Sequence, residues 1–343
     1  MEKTNVVRLN KIDYKILAEL DFNSRQPSSK IAKKLKLSRN IVDYRIRQLQ
    51  ENGVVLAFNA FIDAAKFNLI SWKVYLRFQN LTPEKEKEIL NYLNKHKKVW
   101  WIIRCTGAFD LMFCMLADSI HEFYQGMLEF NTLFSNYIIE TELTSHIDPE
   151  FYTRGYLGKE SVIPSKPFLV KPIKMDFDEL DRRLLDILGQ NCRFSVTEIA
   201  RKLRSTPRVI AYKMRCLERE GVITWYRIIL DPSKLGMEYY KTLINFKGIT
   251  REKEEEFLGF CRSHPGIINM SKATGPWDME FECEVENYRK YNELMQEIRR
   301  LFPDLIKQYR SMLIYEQMKY ENNFLRYSVP TKKVGTYILN QTR

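Results

Sequence analysis

The stretch SKIAKKLKLSRNIVDYRIRQLQENGV, Ser29–Val54, decides the fold of this chain. It reads as two short helices joined by a tight turn. Ser38 is expected to cap the second helix, its hydroxyl accepting a free backbone N–H of the first turn. Val42, Ile46 and Leu49 recur at i, i+4 and i+7 and so share one buried stripe. The opposite face presents Asn40, Tyr44 and Arg47, flanked by Arg39 and Asp43. A helix with an apolar back and donors in front suits a DNA major groove. An ordinary solvated face has the same pattern, so this segment alone does not decide between the two.

Upstream, Leu9, Ile12, Ile16, Leu17 and Leu20 form the apolar face of a first helix over residues 8–22. Downstream, Gly53 ends the second helix of the pair, and Val54–Asp63 (VVLAFNAFID) is a strand or wing expected to lie against the three helices. Together these make a winged helix-turn-helix pattern. From Trp72 the periodicities change. WKVYLRFQN is a strand and Pro83–His96 a charged helix; VWWIIRCTG and FDLMFCMLAD are strands hinged at Gly107–Ala108; Ser119–Phe134 is a helix and Tyr137–Ile147 a strand. That order, βαββαβ, is the ferredoxin-like arrangement.

The same programme then runs again. Adding 168 to a residue number takes Asp13 to Asp181, Ile31-Ala32 to Ile199-Ala200, Tyr44 to Tyr212, Arg47 to Arg215, Gly53-Val54 to Gly221-Val222, Thr106-Gly107 to Thr274-Gly275 and Asp110 to Asp278. The period is far longer than that of stacked solenoid repeats, so each copy is a pair of domains. The fold class is α+β: two copies of a winged helix-turn-helix domain followed by a ferredoxin-like βαββαβ domain. The helix-turn-helix units are expected at 1–65 and 176–234 and the ferredoxin-like units at 66–148 and 235–321. A linker with prolines at 149, 164, 167 and 172 is expected at 149–175, and a tail at 322–343.

A net charge of +12 in 343 residues points to an anionic partner, of which nucleic acid is the commonest. No window approaches the roughly 20 apolar residues of a spanning helix and no signal peptide opens the chain, so the expectation is a cytoplasmic protein with no membrane partner. The six cysteines contain no CxxC pair, which fits a reducing compartment and gives no metal site.

With these motifs in order, the chain resembles the Lrp/AsnC family of transcription regulators. The resemblance rests on LNKIDYKILAEL and DELDRRLLDIL, SKIAKKL and TEIARKL, YRIRQLQENGVV and YKMRCLEREGVI, IDAAKF and LDPSKLG, and the loops TGAFD and TGPWD. It covers nearly the whole chain apart from the linker and tail. It implies two DNA-binding domains, each followed by an effector and oligomerisation domain, with double-stranded DNA as partner and an effector of the amino-acid class. Family members usually carry a single copy and dimerise through the ferredoxin-like sheets. Two copies in one chain therefore imply an intramolecular pseudo-dimer, with further homo-oligomerisation left open.

The DNA-facing residues of the first copy are Ser38, Arg39, Asn40, Asp43, Tyr44, Arg45 and Arg47. In the second copy Thr206 caps the helix and Pro207 occupies its first position, while Arg208, Ala211, Tyr212 and Arg215 face outward and Arg201, Lys202, Arg204 and Lys213 around them are placed to reach phosphates. Asp43 against Ala211 is the informative difference, because an aspartate there either accepts from a cytosine amino group or repels phosphate. Unequal half-sites are the expectation. For an effector, Gly107/Asp110 and Gly275/Asp278 occupy the family's effector region; the plainer reading is a hairpin glycine with an aspartate that fixes the turn. The adjacent Trp100 and Trp101 are expected on opposite faces of their strand, one in the core and one at a sheet contact. RNA binding is a weak alternative for that pair.

No catalytic residue and no cofactor is assigned. The alternative function is a fused sirohaem-decarboxylase-like enzyme, since those proteins resemble the Lrp/AsnC family and occur as fused pairs of similar length. Their histidine- and tyrosine-containing segment, leading into an Asn-aromatic-Trp-Phe run, would fall at CTGAFDLMF and ATGPWDMEF, and neither copy has it. The reading is therefore a non-enzyme.

Overall fold

The structure is a computed structural model that describes residues 6–158 and 175–320. Residues 159–174 of the expected linker and the expected tail at 322–343 lie outside the described residues. Each copy opens with three helices: α1 (Lys11–Phe22), α2 (Ser28–Leu35) and α3 (Arg39–Glu51) in the first, and α6 (Glu179–Gln190), α7 (Val196–Leu203) and α8 (Pro207–Arg219) in the second. Their starts are written in the sequence. Asn10 with Asp13, and Asp178 with Asp181, form reciprocal capping boxes at α1 and α6. The turns before α3 and α8 are made by Lys36 and Arg204, counterparts that both adopt a left-handed backbone at φ 55° and 52°.

The strands that follow, β1 (Val55–Ile62) and β6 (Ile223–Leu230), do not form separate wings against their own helices. They pair antiparallel with each other, Asn59 opposite Arg227 and Ala60 opposite Tyr226. A lone strand leaves its amides and carbonyls unmet, and each copy supplies the other's missing partner. The exchange is symmetric about the centre of this sheet. Ser24 N–H donates to Tyr226 O at 2.9 Å and Cys192 N–H to Phe58 O at 2.8 Å, while Arg25 and Arg193 each reach carbonyls of the opposite copy.

The remaining strands close a barrel. The first copy contributes β2 (Ile70–Phe78), β3 (Val99–Gly107), β4 (Leu111–Ala117) and β5 (Ile138–Phe151), and the second β7 (Glu238–Phe246), β8 (Ile267–Thr274), β9 (Met279–Val285) and β10 (Ile306–Tyr320). The circular order is β10-β3-β4-β2-β5-β8-β9-β7. Each copy is thus a ferredoxin-like sheet, and the edges meet at β3–β10 and β5–β8, which leaves these eight strands without an open edge. The helices α4 (Pro83–Lys95) and α5 (Ile120–Phe134) pack outside the first sheet through Ile89, Leu93, Phe123 and Phe130, and α9 (Arg251–Ser263) and α10 (Tyr288–Leu301) outside the second.

Two local expectations change. The strand β5 continues past Ile147 into the stretch read as linker, with Glu150 and Phe151 paired to Met270 and Asn269. Pro149 is tolerated because it falls in the irregular step of that ladder, where no strand hydrogen bond is asked of it. Trp100 and Trp101 do not part to opposite faces. A register break between Val99 and Trp101 cancels the alternation, and both rings are buried in one cluster with centroids 5.9 Å apart. Among the described residues no helix is long and apolar enough to cross a membrane.

Candidate nucleic-acid interface

The helices α3 and α8 are held from behind by the same three positions. Val42, Ile46 and Leu49 are buried in the first copy, and Ile210, Met214 and Leu217 in the second. Ser38 Oγ accepts from Ile41 N–H and Thr206 Oγ1 from Val209 N–H, each at 3.3 Å, so both caps are formed. Outward, Arg39, Asn40, Tyr44 and Arg47 are exposed on α3, and Arg208, Tyr212 and Arg215 on α8. Tyr44 is 54% and Tyr212 62% exposed, large aromatic rings left in water beside arginines in both copies. Exposed Lys30, Lys33, Lys34 and Lys36 of the first copy, and Arg201, Lys202 and Arg204 of the second, surround them.

Three of the sequence-assigned residues are engaged elsewhere. Lys213 ion-pairs with Asp178 at 2.6 Å and Asp181 at 2.9 Å, at the N-terminus of α6. Against the effect of burial, those two carboxylates hold its ammonium above the ordinary lysine range. Its counterpart Arg45 leans the same way, toward Asp13 at 3.5 Å. Both therefore brace the first helix of their head, and neither projects freely from the outer face. Asp43 pairs with Arg39 one turn away, at 3.2 Å.

The two glycine–aspartate loops serve the barrel seam. Gly107 (φ +117°) and Gly275 (φ +131°) sit where a Cβ would fall 2.7 Å from Ser311 O and 2.6 Å from Leu143 O, backbone of the opposite copy's edge strand. Asp110 Oδ2 accepts from Phe78 N–H at 2.8 Å and Asp278 Oδ2 from Phe246 N–H at 2.7 Å. Each carboxylate offered by the sequence as a ligand contact is thus already fixing a hairpin.

The sequence reading missed a buried charged network inside the barrel. Lys73 ion-pairs with Glu280, and Lys241 with Glu280 at 3.2 Å and Glu282 at 2.6 Å. Tyr75 Oη and Trp277 Nε1 donate to Glu280 at 2.9 and 2.8 Å, and Tyr239 Oη donates to Glu282. Burial alone would raise the Glu280 carboxyl; Lys73 and Lys241 hold it well below the usual carboxylate range. Next to it, Arg154 bridges Glu284 of β9 to Asp21 of α1 at 2.8 and 2.7 Å, and Arg227 of β6 reaches Asp21 at 3.1 Å. The signal lay in the strand MEFECEV, whose strict alternation puts Glu280, Glu282 and Glu284 on one face. The first copy has Met112, Cys114 and Leu116 there.

One edge of this network, Tyr239, Glu282, Glu284, Arg154 and Arg227, lines a cavity of about 670 Å³ at the barrel mouth, roofed by the β1–β6 sheet and walled also by Trp100, Trp101 and His146.

Comparison with known proteins places these features. A family model for winged helix-turn-helix DNA-binding matches residues 9–55, and one for the AsnC-type helix-turn-helix domain matches residues 177–218. The chain is 31% identical to the proline dehydrogenase transcriptional activator of Rhodobacter capsulatus, over 35% of this chain and 79% of that protein. It is 25% identical to the DNA-binding transcriptional activator DecR of Escherichia coli K12, over 42% of this chain and 94% of DecR. Among solved structures, the siroheme decarboxylase NirDL superposes with a TM-score of 0.61 at 15% identity, over 93% of this chain and 97% of that one. At that identity the likeness is one of fold alone.

Proposed function

The chain belongs to the Lrp/AsnC-type family of helix-turn-helix regulators, and from that premise we propose that it binds specific double-stranded DNA through both heads, with α3 and α8 entering the major groove. One observation carries the reading. In each copy a well-capped helix buries its apolar back and leaves a tyrosine and an arginine one turn or less apart in water, Tyr44 with Arg47 and Tyr212 with Arg215. A single exposed ring is ordinary on a protein surface; what supports the reading is the same ring beside the same arginine at matched positions of both helices. The basic turns at Lys36 and Arg204 sit where phosphates would pass. We read the two copies as a tandem duplication and the closed barrel as a pseudo-dimer that fixes the distance between the heads. The fused decarboxylase reading shares this fold, and fold does not carry an activity.

The test is a salt titration of binding to a duplex selected from random sequence. The variant carrying both Arg47→Ala and Arg215→Ala is expected to bind at least tenfold more weakly, and its plot of log affinity against log salt to flatten by about two phosphate equivalents if those arginines touch backbone. Unchanged affinity together with an unchanged slope would remove α3 and α8 from the DNA-facing surface.

A further inference from the structure

The cavity at the barrel mouth has a polar group that nothing described here satisfies. The ring of His146, on β5, lines it. Both ring nitrogens are sealed from solvent and neither has a hydrogen-bond partner among the described residues. Unmet buried polar atoms are costly and uncommon in folded proteins. The counterpart position in the second copy is Ile314, so the pseudo-symmetry of the barrel does not require a histidine here. The broad torsional well of an imidazole lets the ring turn a nitrogen toward the cavity at little cost.

The remaining walls define what would fit. One side is aromatic: the rings of Trp100, Trp101 and Tyr320 lie within 5.7–6.0 Å of one another, centroid to centroid. Their indole N–H groups are spent on Ser71 and Gln317, which leaves ring surface for the cavity. The lining is charged and acid-rich. Glu282 and Glu284 are met by Lys241 and Arg154, but Asp231, Glu238, Glu286 and Glu316 add four more carboxylates, against the two guanidiniums of Arg154 and Arg227. An anionic ligand would be repelled there and would lose its hydration. A volume of about 670 Å³ is that of a typical metabolite or cofactor pocket. The roof is the β1–β6 sheet that joins the heads, and two wall residues, Arg154 and Arg227, hold Asp21 of α1.

We propose that this cavity is an effector site for a flat, mainly apolar, non-anionic aromatic molecule carrying a hydroxyl or amide that meets His146, and that its occupancy alters the set of the two heads. The site is separate from the glycine–aspartate loops. Its effector role rests on the DNA-binding reading; the binding itself does not.

The probe is 2-naphthol, titrated calorimetrically into the full chain, with naphthalene-1-sulfonate as the charged control. One saturable 2-naphthol site per chain is expected, with the sulfonate weaker. His146→Phe keeps the bulk of the ring and is expected to weaken 2-naphthol by about tenfold without lowering the thermal midpoint. Ile314→Trp, which fills the cavity, is expected to abolish binding. Saturating 2-naphthol is expected to shift the midpoint of binding to the selected duplex by several-fold at fixed salt. No saturable heat, or binding untouched by His146→Phe, overturns the site; a sulfonate that binds as tightly overturns the ligand class. An unmoved DNA midpoint overturns the link to the heads. Absence of DNA binding alongside His146-dependent 2-naphthol binding overturns the regulator reading and leaves the site standing.

Discussion

Lys241 is fully buried, and it survives as an ion only because Glu280 and Glu282 stand beside it. Such groups contribute little net stability as a set, since their desolvation offsets their attraction, but removing one member strands the others. Lys241→Met is therefore expected to destabilise the fold by about 3–5 kcal/mol in denaturant titration, and the further change Glu282→Met should recover part of it. A cost below 1 kcal/mol would mean that water reaches the network. The acid side of the stability profile follows from the same interior. Burial lowers His96, His264 and, furthest, His146, which faces Lys73, Lys241 and Glu280. The unfolded chain then takes up protons first as pH falls below about 6.5, so stability is present above that value and declines beneath it. Asp21 and Glu280, held low by their cationic neighbours against the effect of burial, add a second loss at lower pH, beginning near the unfolded carboxylate range. His146→Phe should flatten the first decline and leave the second. Identical profiles for the two proteins would show that His146 titrates alike in both states.

At the scale of elements, α3 and α8 are the same device with different fronts: Arg39, Asn40 and Asp43 stand where α8 has Pro207, Arg208 and Ala211. Asp43 holds Arg39 in an exposed pair, whereas α8 has neither partner, with Pro207 and Ala211 at those positions and its arginine one place on at Arg208. Asp43→Ala is expected to change base preference at one position of the first half-site, by about 1–3 kcal/mol in selection experiments, and to leave the second half-site unaltered. Unchanged preference at every position would show that Asp43 only steadies Arg39. The helices, their caps and the order of strands were legible because each depends on local periodicity and on neighbours three or four residues away. Most of what escaped depends on partners beyond that reach, from Asp13, 32 residues before Arg45, to Glu280, 207 residues after Lys73. The pairing of β1 with β6 is one case, since a strand's own pattern does not name its partner. The turned alternation at Trp100-Trp101 is another, because a bulge reverses which side each ring takes. Nothing local to Lys73 or Lys241 marks either lysine as buried, because only the closed barrel covers them. Lys213 and Arg45 were read by helical angle alone, which did not anticipate the acids capping α6 and α1.

For the whole molecule, the two sheets complete one another's edges and the two heads share one strand pair, so the spacing of α3 and α8 is built into a single chain. A regulator of this design carries its two-fold relation internally and is free to let the halves diverge, as the acid-lined β9 against the apolar β4 shows. Operators should accordingly hold two unequal half-sites at one fixed spacing. Hydroxyl-radical footprinting on a selected duplex, with wild type and with Arg47→Ala and Arg215→Ala separately, tests this most directly. The account predicts two protected patches at constant separation, one lost or weakened by each substitution. A single patch, or two patches that fade together whichever arginine is removed, would contradict it.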